Sequence, residues 1–163
     1  MLQTCRFITL VLAALGLAPG VAHVLELPPK MHYDAEMYAA VTSTLYRLFG
    51  SVGAAFQIGA ILMAAALTCL VRGRLAFRRT LFGTLGLVLS LVLWTALVAP
   101  VNAQWLEVIQ SAPAAVPAAY LRLRPRWEYG HVAACAAWFT GFSLLILSVL
   151  METSVHRSGD RVA

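Results

Sequence analysis

The chain has 163 residues, of which 61% are hydrophobic, and its charge is carried by only 12 Lys+Arg and 7 Asp+Glu. A soluble domain carries roughly a quarter charged and about half apolar residues, so this balance, with a mean hydropathy of +0.80, belongs to a membrane protein. It excludes a soluble catalytic domain, a nucleotide-binding fold and a nucleic-acid partner, because the longest segment between apolar runs spans only residues 102–126 and the net charge of +5 is the work of arginines that set topology and touch anionic lipid.

Four stretches hold no Asp, Glu, Lys or Arg: residues 7–25, 48–71, 80–106 and 129–151. A helix needs about 20 residues to cross a hydrocarbon core of roughly 30 Å, and each stretch meets that length. A transmembrane β-barrel is excluded, since its strands alternate apolar and polar while these runs are apolar on all sides. The prediction is an all-α, up-down-up-down four-helix bundle forming one domain over residues 1–152, with helices at about 6–27, 42–71, 78–102 and 128–151 and a polar, disordered tail over 153–163.

In the first helix, Arg6, the apolar run from Phe7 to Leu17 and Gly20-Val21-Ala22 resemble a signal peptide. Apolar character continues through Val24, Leu25 and Leu27, which favours an uncleaved span. Pro28-Pro29 marks a turn, followed by a short interfacial loop from Lys30 to Ala40. The second helix sets Tyr46, Gly50, Gly53 and Gln57 on one face, which should point into the bundle because its small residues let helices approach closely. A short loop with Arg72, Arg74, Arg78 and Arg79 leads to the third helix, where Pro100 strips a donor from a carbonyl one turn earlier. An irregular basic segment follows, in which Trp105, Tyr120 and Trp127 read as an interfacial aromatic belt. Cys5, Cys69 and Cys135 read as small buried hydrophobes without a disulfide.

Placing the arginine loop in the cytoplasm puts both termini there, in an inner (cytoplasmic) membrane. Arg6, Arg72, Arg74, Arg78, Arg79, Arg157 and Arg161 then lie inside, against Lys30, Arg47, Arg122, Arg124 and Arg126 outside.

In such a bundle the end of helix 1, the start of helix 2, the end of helix 3 and the start of helix 4 share one membrane face, here the extracytoplasmic one. They carry His23 and Glu26, Tyr46 and Arg47, Asn102, and Glu128 and His131, respectively. His23-x-x-Glu26 and Glu128-x-x-His131 are the same i, i+3 pair read in opposite directions on antiparallel helices, so the two pairs can face each other. Two His and two Glu suffice for one iron, zinc, manganese or copper ion; without a metal they form an acid–base pocket. The alternative is structural: Glu26 pairs with Arg47, Glu128 with Arg126 or Arg47, and the histidines donate to backbone carbonyls.

The strings His23-Val-Leu-Glu-Leu-Pro-Pro-Lys30, Leu45-Tyr-Arg47, Ala99-Pro-Val-Asn102 and Arg126-Trp-Glu-Tyr-Gly-His131 together resemble the small four-span membrane proteins of the anthrone-oxygenase-like family. The resemblance covers the whole membrane portion in order and spacing. It implies four helices and, as in fungal members, oxidation of an anthrone to an anthraquinone by molecular oxygen without a recruited organic cofactor. It assigns no catalytic residue. On the residues themselves, His131 or His23 would be the base, held by Glu128 or Glu26, and Arg47, Asn102 or Tyr46 would stabilise an oxyanion. Trp94, Trp105 and Trp127 would offer an aromatic substrate a flat apolar surface. The expectation is therefore an oxygenase-like oxidoreductase for a small aromatic or lipophilic molecule. The other reading is a non-enzymatic membrane protein that binds a metal or small molecule or serves as an accessory subunit, with a homo-oligomer or a complex partner open in either case.

Overall fold

In the computed structural model the described residues are 1–159, with the side chains of Arg47 and of residues 153–159 outside the description. Four stretches are helical, long and apolar enough to cross a membrane. The first is α1 (Leu2–Lys30) and the second α3 (Arg47–Leu70), preceded by the short α2 (Ala35–Thr44). The third runs as α4 (Phe77–Leu93), a π turn over Trp94–Val98 and α5 (Ala99–Ser111). After a 3-10 turn at Pro113–Ala115, the last is α6 (Val116–Gly159). Lipid contact explains the many exposed leucines, valines and phenylalanines on their outer faces.

The helices pack as a closed ring, α1 on α3, α3 on α4, α4 on α6 and α6 on α1, which is the arrangement of an up-down-up-down bundle. Small residues set the tightest contact. A Cβ on Gly86 would stand 2.7 Å from the Cα of Gly141, and one on Gly141 would stand 2.6 Å from the carbonyl of Gly83, so α4 and α6 touch backbone to backbone. Ser90 Oγ donates to the carbonyl of Ala134 across the same seam at 2.7 Å. At the end away from the histidines, Arg6 is buried against Glu152, and Arg74 lies 3.8 Å from the same carboxylate.

Several boundaries differ from the sequence expectation. Pro28 and Pro29 do not turn the chain: α1 continues to Lys30, and the Met31 N–H bonds to the carbonyl of Leu27. Helix 2 starts not at Thr42 but as the separate α2, whose first turn is capped by Asp34 accepting from the Met37 N–H at 2.8 Å. The expected irregular segment is helical. Pro100 has no N–H for the carbonyl of Ala96, the local hydrogen bonds shift to the π pattern with Ala99 N–H on Trp94, and Arg126 donates to the Ala96 carbonyl at 3.0 Å.

Trp105, Tyr120 and Trp127 are not a lipid-facing belt. Tyr120 and Trp127 belong to a core cluster with Tyr38, Val98, Val101, Ala119 and Leu123, and Trp105 packs against it, because α2 and α5 lean over the start of α6. Cys69 is exposed rather than buried, Cys135 is half-buried, and all three cysteines are unpaired. The expected tail from residue 153 continues α6 as far as Gly159, and residues 160–163 lie outside the described residues.

Candidate functional site

Continuing α1 through the prolines places His23, Glu26 and Lys30 at i, i+3 and i+7, one face of one helix. That face meets the Trp127, Glu128 and His131 turn of α6. Lys30 is 1% exposed, its Nζ 3.0 Å from Glu128 Oε2 and 4.0 Å from Glu26 Oε2, and Glu128 is likewise 1% exposed. Tyr38 OH donates to Glu128 Oε1 at 3.0 Å, and Tyr46 OH donates to Glu26. The ammonium also stands 4.8 Å from the centre of the Trp127 ring and 5.2 Å from that of Tyr46. A buried charge needs a paired and hydrogen-bonded setting: the two carboxylates accept from the tyrosines, while the ammonium is ion-paired to both of them without a hydrogen bond. Burial, then the charge and hydrogen bond of Glu128, raise the Tyr38 phenol above its ordinary value, and burial with the Glu26 hydrogen bond raises Tyr46 likewise. Both stay protonated and act as donors to the carboxylates.

The two histidines face each other beside this set. Their ring centres are 4.2 Å apart, tilted by 49°, and each is under a tenth exposed. Tyr46 and Trp127 meet the His23 ring edge-on at 4.5 and 5.0 Å, and Trp127 lies 4.2 Å from His131. His131 Nδ1 is 2.9 Å from the carbonyl of Trp127. A carbonyl only accepts, so Nδ1 carries the proton and Nε2 holds the lone pair of the neutral ring. His23 Nδ1 is buried with no hydrogen-bond partner.

The expected convergence of His23, Glu26, Glu128 and His131 therefore fails in its carboxylate half. The His rings come together, but Glu128 turns to Lys30 and Tyr38, and Glu26 to Tyr46 and Lys30. Among the described residues no group of three or more His, Cys, Asp or Glu side chains is arranged to hold a metal ion. The reason is electrostatic: an ammonium on the shared face takes up the carboxylate charge that an ion would need. Neither carboxylate orients a histidine; the Trp127 carbonyl does so for His131. Arg126 binds the Ala96 carbonyl instead of Glu128, and the side chain of Arg47 lies outside the described residues.

Next to the histidines lies a cavity of about 640 Å³, within the range of small-molecule sites. All four tryptophans of the chain line it, Trp94, Trp105 and Trp127 as expected and Trp138 in addition, together with His23, His131, Tyr46 and Asn102. Glu26, Glu128 and Lys30 stand behind the wall, outside the lining. Asn102 Oδ1 accepts from Trp127 Nε1 at 2.7 Å, which leaves its amide N–H groups for a ligand. Tyr46 spends its hydroxyl proton on Glu26, so it serves as a wall and not as an oxyanion donor. The lining holds no Asp or Glu and one cation among the described residues, Arg124, whose Nη1 binds the Met31 carbonyl and Tyr120 while its Nε has no partner.

Lys30, Tyr38, Phe49, Arg124 and Trp138 are site residues that the sequence does not mark as such. Lys30 had a signal, its i+7 spacing from His23, hidden by reading the prolines as a turn. Tyr38 had none, since α2 folds back onto α6 through contacts distant in sequence. No protein-family model, curated protein or solved structure matches this chain.

Proposed function

We propose that this protein is an integral membrane oxidoreductase that presents an aromatic carbon acid to molecular oxygen, as its resemblance to the anthrone-oxygenase-like proteins implies. The observation that carries this reading is the close, tilted histidine pair in the wall of a tryptophan-lined cavity, with the His131 proton held on Nδ1 and the Nε2 lone pair left free. An anthrone bound against Trp94 and Trp127 loses its acidic C–H proton to His131 Nε2 and becomes an electron-rich phenolate. Arg124 and the Asn102 amide stabilise that negative charge in surroundings where, among the described residues, no carboxylate lines the wall. The anion then reduces oxygen directly, so that anthrone and O₂ give anthraquinone and water. The Lys30–Glu128–Tyr38 set fixes α1 against α6 and so fixes the two rings. We place the arginine loop in the cytoplasm of an inner-membrane protein and the cavity toward the opposite face.

The test is oxygen uptake and anthraquinone formation by purified protein with anthrone, above the uncatalysed rate. A positioned base contributes typically about 10²–10⁴-fold, so His131→Ala is expected to lose at least a hundredfold while still folding. Equal rates in wild type and His131→Ala overturn the base assignment. About one iron, zinc, manganese or copper ion per chain, lost in both His23→Ala and His131→Ala, replaces it with a metal-centred reaction.

A further inference from the structure

The cavity is polar at one end and apolar at the other. On α6 its lining runs from Leu123 to Trp138, about 22 Å of helix at 1.5 Å per residue, with His131 near the middle. At the histidine level His23 Nδ1 has no hydrogen-bond partner and His23 is about 5% exposed, and at the α6 end of the lining above it Arg124 Nε is likewise without a partner. Below the histidines every side-chain donor that a polar ligand would seek is already committed to a helix carbonyl. Gln57 Nε2 donates to Gly16 at 3.0 Å, Ser90 Oγ to Ala134 at 2.7 Å and Trp138 Nε1 to Ala13 at 2.8 Å. The rest of that arm is Leu17, Gly53, Ala54, Leu91 and the half-buried Cys135, with Trp138 as its floor.

We infer that the ligand is an amphiphile, a phenol or related ring oxygen held at His23 on the side of the cavity that Arg124 caps, with an apolar tail reaching down the arm to Trp138. This rests on the aromatic-cavity reading above and adds the tail. From His131 to Trp138 the arm is about 10 Å deep, deeper than one ring fills from the histidine level. Exposed Ser43, Gly50 and Leu106 edge the cavity near the start of α3 and along α5, giving an entry close to headgroup depth.

All four tryptophans line the cavity, so intrinsic fluorescence reads occupancy directly. Protein in nanodiscs is titrated with 4-methylphenol and 4-octylphenol at matched bilayer concentrations. Octylphenol is expected to bind at least tenfold more tightly, and Ala54→Phe, which fills the arm, is expected to bring the two affinities within about threefold. In protein carrying Cys69→Ser, octylphenol but not methylphenol should protect Cys135 from N-ethylmaleimide, read by mass spectrometry, a result independent of whether the Phe variant folds. Equal binding by the two phenols, or no protection of Cys135, overturns the tail and leaves the aromatic cavity standing. No quenching by either phenol overturns the cavity reading itself.

Discussion

Lys30 shows how one side chain can reorganise a site. From sequence it is a loop cation that counts toward topology, and His23, Glu26, Glu128 and His131 then look like a complete donor set. In the structure it is buried between the carboxylates, which belong to it and to two tyrosines, and only the histidines face the cavity. The sequence carried the right residues at the right end of the bundle because helix-end positions follow from span lengths. It did not carry the partner choice, which depends on whether two prolines end a helix. Removing one member of a buried ion pair leaves the other charge stranded, at a cost of about 3–5 kcal/mol. Lys30→Met or Glu128→Gln alone should therefore lower the thermal unfolding midpoint in detergent sharply. Lys30→Met with Glu128→Gln should recover most of that loss, since glutamine still accepts from Tyr38. Additive losses in the double variant would mean that the pair contributes nothing as a pair.

At the scale of elements, hydropathy located all four spans, because an 18-residue apolar helix has no alternative in lipid. It misplaced their ends for reasons that are local and physical. Proline forbids a hydrogen bond but not a helix, and the carbonyls freed by Pro28 and Pro29 fall in the last turns of α1, near the interface. Pro100 is absorbed by a π turn and by Arg126, a donor supplied from another helix that no local pattern announces. The glycines separate two roles, and Gly50, expected on a face of close helix approach, is not one of the contact glycines. Gly141→Ala would push a Cβ to 2.6 Å from the Gly83 carbonyl and 2.8 Å from the Leu87 nitrogen, both backbone atoms that cannot step aside. At Gly50 a Cβ meets nothing within 4 Å, because the residue borders the cavity. Gly141→Ala is expected to lower the unfolding midpoint by several degrees and Gly50→Ala to leave it within a degree or so, as core overpacking costs typically 1–3 kcal/mol while a filled gap costs little. Equal effects at the two sites would show that the α4–α6 seam yields more easily than its geometry indicates.

For the whole molecule, α6 is 44 residues long, about 66 Å of helix against a hydrocarbon core of roughly 30 Å. It must project from the membrane, and at its N-terminal end it does so with α5 beside it and α2 across it, which roofs the cavity with Tyr38 and Trp105. The projecting end carries Arg122, Arg124 and Arg126, but Arg124 is tied to Met31 and Tyr120, and Arg126 to Ala96. Arginines held in tertiary contacts by a folded cap say little about sidedness, whereas Arg72, Arg78 and Arg79 sit exposed in the compact connection around the start of α4, where positive charge retains a segment in the cytoplasm most strongly. The proposed orientation, with that loop inside, rests on these three arginines. In a variant with Cys5, Cys69 and Cys135 replaced by alanine, a cysteine placed at Ala114, exposed between α5 and α6, should react with a membrane-impermeant maleimide in intact bacterial cells, and one placed at Arg72 should not. In inverted membrane vesicles the two should exchange. Labelling of Arg72→Cys from outside the cell would turn the molecule over and put the cavity's roofed end, with its supply of ligand, on the cytoplasmic side.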